Sequence, residues 1–155
     1  IGTLGKSFGV AGAFVAASED ISAFIRNRAR SFVYSTAPPP TLVRAALAAL
    51  PLVLEADDAR TELLAHASRL RAGLREHAYE VPDGDTQIVP VWIGDNEGTM
   101  QLSAKLLEQG VFVQGIRPPT VPKGTARLRI TPMATHRPEH IDRALDAFAS
   151  LARRA

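Results

Sequence analysis

Strand-length apolar runs alternate with long amphipathic stretches along this chain, and that alternation points to an α/β fold with short strands and long helices. Residues 13–17 read as a short buried strand. Ser18 then offers an N-cap, with Glu19 and Asp20 in the first turn of a helix carrying Ile21, Phe24 and Ile25 on one face. Residues 31–36 read as a strand, stopped by Pro38, Pro39 and Pro40. An Ala/Leu-rich helix follows from Thr41, with Pro51 expected to bend or break it. Asp57 or Asp58 would cap the next helix, which runs to about His77 with Leu63, Leu64, Leu70 and Leu74 as its stripe. A Pro/Gly/Asp loop leads into a strand over 88–93, where Pro90 favours an edge position. Residues 100–109 are amphipathic helix stopped by Gly110. Strands over 111–116 and 126–131 flank a loop stiffened by Pro118, Pro119 and Pro122. A last helix runs from about Pro138 to Arg153.

Composition narrows the function classes. At 155 residues, with 46% hydrophobic and 22% charged residues, the chain has the make-up of a globular protein. No apolar run approaches the roughly 18–20 residues needed to span a bilayer, so no membrane span is expected. The chain contains no cysteine, which removes disulfides and thiolate metal sites and fits a reducing, cytoplasmic setting. Arg26, Arg28 and Arg30, and Arg69, Arg71 and Arg75, are interleaved with Glu19, Asp20, Glu62 and Glu76, and the formal charge is only +2. With few aromatics among them, they read as solvated helix faces and not as a nucleic-acid surface. His136 and His140 are four apart without a third ligand nearby, so they read as polar residues at a helix start and no metal is expected. Trp92 and Met100 read as core. The first residue is Ile, and the most informative motif begins almost at once, so the sequence reads as part of a longer chain.

That motif, Gly2-Thr3-Leu4-Gly5-Lys6-Ser7, admits three readings. Gly5-Lys6-Ser7 matches the end of a P-loop, although the first glycine of that motif is absent. Lys6 could equally be a surface lysine beside a glycine turn. The third reading is a Schiff-base lysine, with small neighbours making room for a flat ring and the Thr3 hydroxyl holding a phosphate.

The rest of the chain bears on that choice. Thr3 to Gly9 followed by Gly12-Ala13-Phe14-Val15 resembles the lysine segment of the α-oxoamine synthases. Tyr34-Ser35-Thr36-Ala37-Pro38-Pro39 resembles a Ser-Thr-x-x-Pro segment of the same family. Arg117-Pro118-Pro119-Thr120-Val121-Pro122 and Gly124 to Thr131 resemble its C-terminal signature. The three motifs occur in the family's order and cover nearly the whole chain. The Arg117–Pro122 run is closer to the biotin-pathway branch than to the aminoketobutyrate ligase or 5-aminolevulinate synthase branches, which stay as alternatives.

The resemblance implies the C-terminal portion of an aminotransferase-like, fold-type I pyridoxal-phosphate enzyme. Residues 1–50 would end the large cofactor domain, and residues 51–155 would form the small α/β C-terminal domain. A missing N-terminal portion would supply the ring that stacks on the cofactor and the Asp that pairs with its pyridine nitrogen. The implied reaction is a decarboxylative condensation of L-alanine with a pimeloyl thioester carried by CoA or an acyl-carrier protein. Lys6 matches the lysine that holds pyridoxal phosphate and moves the substrate's Cα proton, and Thr3 matches a phosphate-contacting hydroxyl. Thr36, with Ser35 beside it, matches a residue that reaches the phosphate from the neighbouring subunit and so implies a homodimer; a helix cap before the prolines is the alternative. Arg129 matches the arginine that binds the amino-acid carboxylate, the alternative being an internal salt bridge. Thr120 matches a substrate contact in the proline loop. Arg117 is expected either to bind the acyl donor's far carboxylate or to hold that loop.

Overall fold

The computed structural model describes residues 1–152, and the expected end of the last helix at Arg153 lies outside them. The chain divides into two units, Ile1–Asp57 and a second beginning at Asp58.

The first unit opens with a minimal hairpin in which β1 (Gly2–Thr3) pairs antiparallel with β2 (Ala13–Phe14). Gly2 is required there, because a Cβ at that position would fall 2.4 Å from the Phe14 ring lying across it. Three helices follow: α1 (Glu19–Arg28), the single-turn α2 (Arg30–Val33) and α3 (Pro40–Leu54). Ser18 holds the N-cap position of α1 without supplying a side-chain bond, although both acidic residues stand in the first turn as expected.

Two expectations fail in this unit, and a third is narrowed. Residues 13–17 are neither buried nor a full strand: only Ala13–Phe14 pairs, and Phe14 and Val15 are exposed. Among the described residues, Ala13 and Phe14 pair only with β1. Residues 31–36 form a helical turn and a bend instead of a strand, because the amides of Phe32 and Val33 both donate to the Ala29 carbonyl and none of the segment joins a ladder. Pro51 does not break α3: its own carbonyl accepts from Glu55, and the helix ends only after Leu54. Val10 is the one buried hydrophobic residue of the unit, while Phe24, Phe32, Leu47, Leu52 and Leu54 are all more than half exposed.

The second unit carries the hydrophobic core. It starts with α4 (Asp57–Glu76), followed by β3 (Val89–Gly94), α5 (Asn96–Glu108), β4 (Gln114–Ile116), β5 (Ala126–Ile130) and α6 (Pro138–Leu151). The sheet order is β3-β5-β4 with both pairings antiparallel, so β5 is central and Pro90 lies on an edge strand as its missing N–H requires. One sheet face contributes Val89, Val91, Leu128 and Ile130 to a cluster with Ala67, Leu70 and Leu74 of α4 and Ile141, Ala147 and Phe148 of α6.

The inner face of α4 differs from the expected leucine stripe. Leu64 is exposed, while His66, Arg71 and Gly73 are buried beside Leu70 and Leu74. Gly73 is small for a reason of packing: a Cβ there would lie 2.7 Å from a methyl of Leu145. Arg71 donates to the carbonyls of Thr86 at 2.9 Å and Ile88 at 2.8 Å, which clamps the loop leading into β3.

α5 begins four residues before Met100, where Asp95 accepts from the Gly98 amide as a side-chain N-cap. It ends at Gly110, whose φ of +78° suits glycine, with the Val111 amide returning to the Leu106 carbonyl. That bond takes Val111 out of the expected strand, and only Gln114–Ile116 pairs with β5. At the start of α6, the His140 ring accepts from the Arg137 amide, so this histidine serves the helix cap. Among the described residues, no helix is long and apolar enough to cross a membrane.

Candidate functional site

The chemistry-bearing residues fall into two groups, one in each unit. In the first unit, Lys6 sits at the tip of the β1–β2 hairpin. Its carbonyl accepts from the Gly9 amide at 3.0 Å, which makes residues 6–9 a tight turn, and Gly9 adopts a φ of +62°. Leu4 braces the turn from below, donating to the Gly12 carbonyl and accepting from the Val10 amide. The backbone on both sides of Lys6 is therefore pinned while its side chain is exposed. Among the described residues, the amine has no ion pair or hydrogen bond. Gly5 has nothing within 4 Å of where a side chain would begin, so a flat group can approach the lysine from that side.

This geometry disposes of the phosphate-loop reading. A P-loop runs from a strand into a helix whose N-terminal amides face the phosphate. Here the chain turns back into an antiparallel strand instead. Thr3 lies in β1, paired with Ala13, with its side chain exposed. Ser35 and Thr36 are exposed in the bend after α2. Thr36 does not cap α3, whose N-cap position is Pro39.

In the second unit, the fold brings Arg117, Thr120 and Arg129 to one open cleft of about 500 Å³. The proline loop supplies Arg117 and Thr120; its turn is closed by the Thr120 amide donating to the Arg117 carbonyl at 3.1 Å. Arg129 comes from β5, opposite Gln114 of β4, and Gln114 also lines the cleft. Arg129 stands on the open side of the sheet. It is not buried within an apolar strand but alternates outward from Leu128 and Ile130, onto the sheet face away from the helices. Among the described residues, it makes no salt bridge. An exposed, unpaired guanidinium beside a second one and a hydroxyl is suited to a carboxylate-bearing ligand.

Trp92 and Met100 are not core residues. Trp92 is half-buried and faces the guanidinium of Arg127, its opposite number on β5, whose Cζ stands 4.4 Å from the ring centroid. Met100 is 40% exposed and lines the cleft. Sequence reasoning missed Gln114 and Met100 as cleft residues. Period-two alternation puts Gln114 and Ile116 on one face of β4. Their neighbourhood with Arg129 depends on the register between strands, which no local pattern encodes.

Residues 1–148 match the model of the aminotransferase class I and II family. The chain is 47% identical over 156 residues to the 8-amino-7-oxononanoate synthase of Geotalea daltonii, covering 99% of this chain and 40% of that protein. It is 48% identical over 153 residues to the protein of the same name from Geobacter metallireducens, covering 97% of this chain and 39% of the relative. The chain thus spans about 40% of the length of the curated relatives it matches. Among solved structures it resembles the serine palmitoyltransferase of Sphingomonas wittichii, with a TM-score of 0.90, 30% identity and coverage of 98% of this chain and 39% of that one. It also resembles the 8-amino-7-oxononanoate synthase of Francisella tularensis, with a TM-score of 0.82, 27% identity and coverage of 96% and 44%.

Proposed function

Because the chain belongs to the aminotransferase class I and II family, we propose that it is the C-terminal part of a pyridoxal-phosphate enzyme that makes 8-amino-7-oxononanoate from L-alanine and a pimeloyl thioester. One alanine and one thioester give one product, with release of carbon dioxide and the free thiol. The observation that carries this reading is the match to 8-amino-7-oxononanoate synthases at 47% and 48% identity along almost the whole chain. The solved serine palmitoyltransferase and the solved 8-amino-7-oxononanoate synthase are similar to the chain at 30% and 27% identity, so the choice within the family rests on the curated relatives, and another α-oxoamine synthase is the alternative.

The residues present fit the cofactor. Lys6 offers an exposed amine on a pinned turn, Gly5 leaves room for a flat ring, and Thr3 offers a hydroxyl from the adjoining strand. When bound, pyridoxal phosphate supplies the electron sink that makes the Cα–H bond of alanine breakable. Lys6 would hold the cofactor through its Nζ, and its amine is the group that would take and return the Cα proton. Thr3 binds the phosphate. Ser35 and Thr36 contribute to the phosphate site of a second subunit, which makes the working enzyme a homodimer, and its proposed setting is the cytoplasm. Arg129, with Thr120, would hold the alanine carboxylate and so orient the Cα–H bond for cleavage, so that anchoring would act on rate as well as on affinity. Arg117 takes the far carboxylate of the pimeloyl chain. Residues 1–50 complete the large cofactor domain, and residues 51–155 form the small one.

The test is to treat the complete protein with pyridoxal phosphate, reduce it with borohydride and locate the label by peptide mass. A pyridoxyl group on Lys6 is expected; a complete protein that carries none would defeat the reading.

A further inference from the structure

The cleft holding Arg117, Thr120 and Arg129 has an apolar side, and its construction turns on a glycine. β4 is an edge strand, and the first turns of α5 pack against it at Gly115. A Cβ on Gly115 would stand 2.9 Å from Sδ of Met100 and 3.5 Å from Cγ2 of Thr99. Gly115 is buried, and no positive φ calls for glycine there. What the missing side chain provides is the seat on which the Met100 thioether rests.

The helix beneath Met100 cannot easily shift. Thr99 is fully buried, with its hydroxyl donating to the Asp95 carbonyl at 2.6 Å. Asp95 in turn caps α5 through the Gly98 amide. The helix start that leads into Met100 is therefore held in place, and the flexible thioether is the part of Met100 that moves most easily. Met100 is 40% exposed, and the surface it exposes belongs to the cleft that Arg117 and Arg129 share. With Ile116 and Pro118, it gives an apolar wall to a site whose two arginines lack any internal partner among the described residues. Such a site suits a ligand with an anionic end and a chain of methylenes.

We infer that Met100, seated on Gly115, is the side chain that selects the length of the acyl chain. This rests on the proposed function. Enlarging or shrinking the wall should shift preference along a series of dicarboxylic acyl donors, because one methylene in an apolar site is discriminated by roughly 10- to 200-fold. Gly115→Ala lifts the thioether off its seat and into the cleft, so it favours a shorter chain. Met100→Ala removes the thioether and favours a longer one.

The experiment uses the complete enzyme with pyridoxal phosphate, L-alanine and the adipoyl, pimeloyl and suberoyl thioesters of CoA, which differ by one methylene each. Gly115→Ala should lower the pimeloyl-to-adipoyl ratio of kcat/KM about tenfold. Met100→Ala should raise the suberoyl-to-pimeloyl ratio by a similar factor, and adding it to Gly115→Ala should restore the pimeloyl-to-adipoyl ratio. General damage from Gly115→Ala would depress all three donors together and lower the melting temperature; Met100→Ala, at a partly exposed position, then decides alone. Ratios unchanged in Met100→Ala while the wild-type enzyme condenses alanine would overturn the role of Met100 and leave the proposed function standing. A wild-type enzyme that condenses none of the three thioesters would overturn both.

Discussion

Trp92 and Arg127 stand directly opposite each other on β3 and β5, with the guanidinium 4.4 Å from the centre of the indole ring. The pair sits one step along the strand from Arg129 and on the same face of the sheet, because residues 127 and 129 alternate outward together. Arg127 is further fixed by its Nε, which donates to the Thr125 carbonyl at 2.9 Å. The stack therefore stiffens β5 just before the residue assigned to the substrate carboxylate.

Removing that stack should cost stability. Arg127→Ala is expected to destabilise the complete protein by about 1–2 kcal/mol, the range of a cation–π contact plus a hydrogen bond. Arg127→Lys should recover less than half, since an ammonium cannot lie flat over the ring. Urea denaturation midpoints measure both, and a lysine variant equal to wild type would show that planarity is irrelevant.

Arg129 predicts a division between binding and folding. Arg129→Ala should raise the KM for alanine about 10- to 100-fold, the loss expected when a charge-assisted bond to a carboxylate goes. Being exposed, the residue should contribute little to the melting temperature. An unchanged alanine KM in steady-state kinetics would remove its proposed role.

Lys6→Ala should abolish borohydride labelling by pyridoxal phosphate and reduce condensation by more than about 10²–10⁴-fold, the share that proton transfer alone contributes. The hairpin should survive, because the Lys6 carbonyl makes the turn bond and its side chain makes none. Normal turnover by the variant would sink the assignment.

Packing in the core gives a prediction independent of function. Tyr79 meets the fully buried Phe148 edge-on, with ring centres 5.2 Å apart, and its hydroxyl donates to the Phe148 carbonyl at 3.0 Å. Phe148→Ala should cost about 3–5 kcal/mol through cavity formation. Tyr79→Phe should cost only about 1 kcal/mol, because it removes one hydrogen bond and keeps the ring. Chemical denaturation of the two variants should rank them in that order by a wide margin.

His136 should make stability fall on mild acidification. Burial first, then the neighbouring His140 and His66, push its imidazole below the ordinary value of 6.5. The unfolded chain therefore binds the proton first. The contribution is complete above about 6.5 and is lost as the pH drops from there towards the folded value. The melting temperature of wild type should decline between pH 7.5 and 5.5, and His136→Gln should show a shallower decline.

Much of the second unit was legible in the sequence. The edge position of Pro90 followed from its missing N–H, and the stop at Gly110 from its left-handed backbone. Both are properties of single residues. The first unit was misread at residues 31–36 for a physical reason. Ser, Phe, Val and Tyr favour a strand only when another strand is there to pair with, and without a ladder the amides of Phe32 and Val33 close a helical turn on Ala29. Leu64 was assigned to the buried stripe of α4 on period alone, whereas the packed side of the helix carries His66, Leu70, Arg71, Gly73 and Leu74, with Gly73 set close against Leu145 of α6.

The same distinction governs the candidate site. By itself, the sequence determined which residue types recur in which order: the lysine among glycines, the Ser-Thr pair before the prolines, and the Arg-Pro-Pro-Thr run followed by Arg-Leu-Arg. Those are local patterns, and they were enough to indicate a family and a cofactor. Only the tertiary structure decided that Arg129 faces outward instead of into the core, that Gln114 is its neighbour across the strand pair, and that Met100 lies against Gly115 at the lining of the cleft. Those relationships depend on strand register and on how closely a helix approaches an edge strand, and both are set by contacts between residues far apart in the chain.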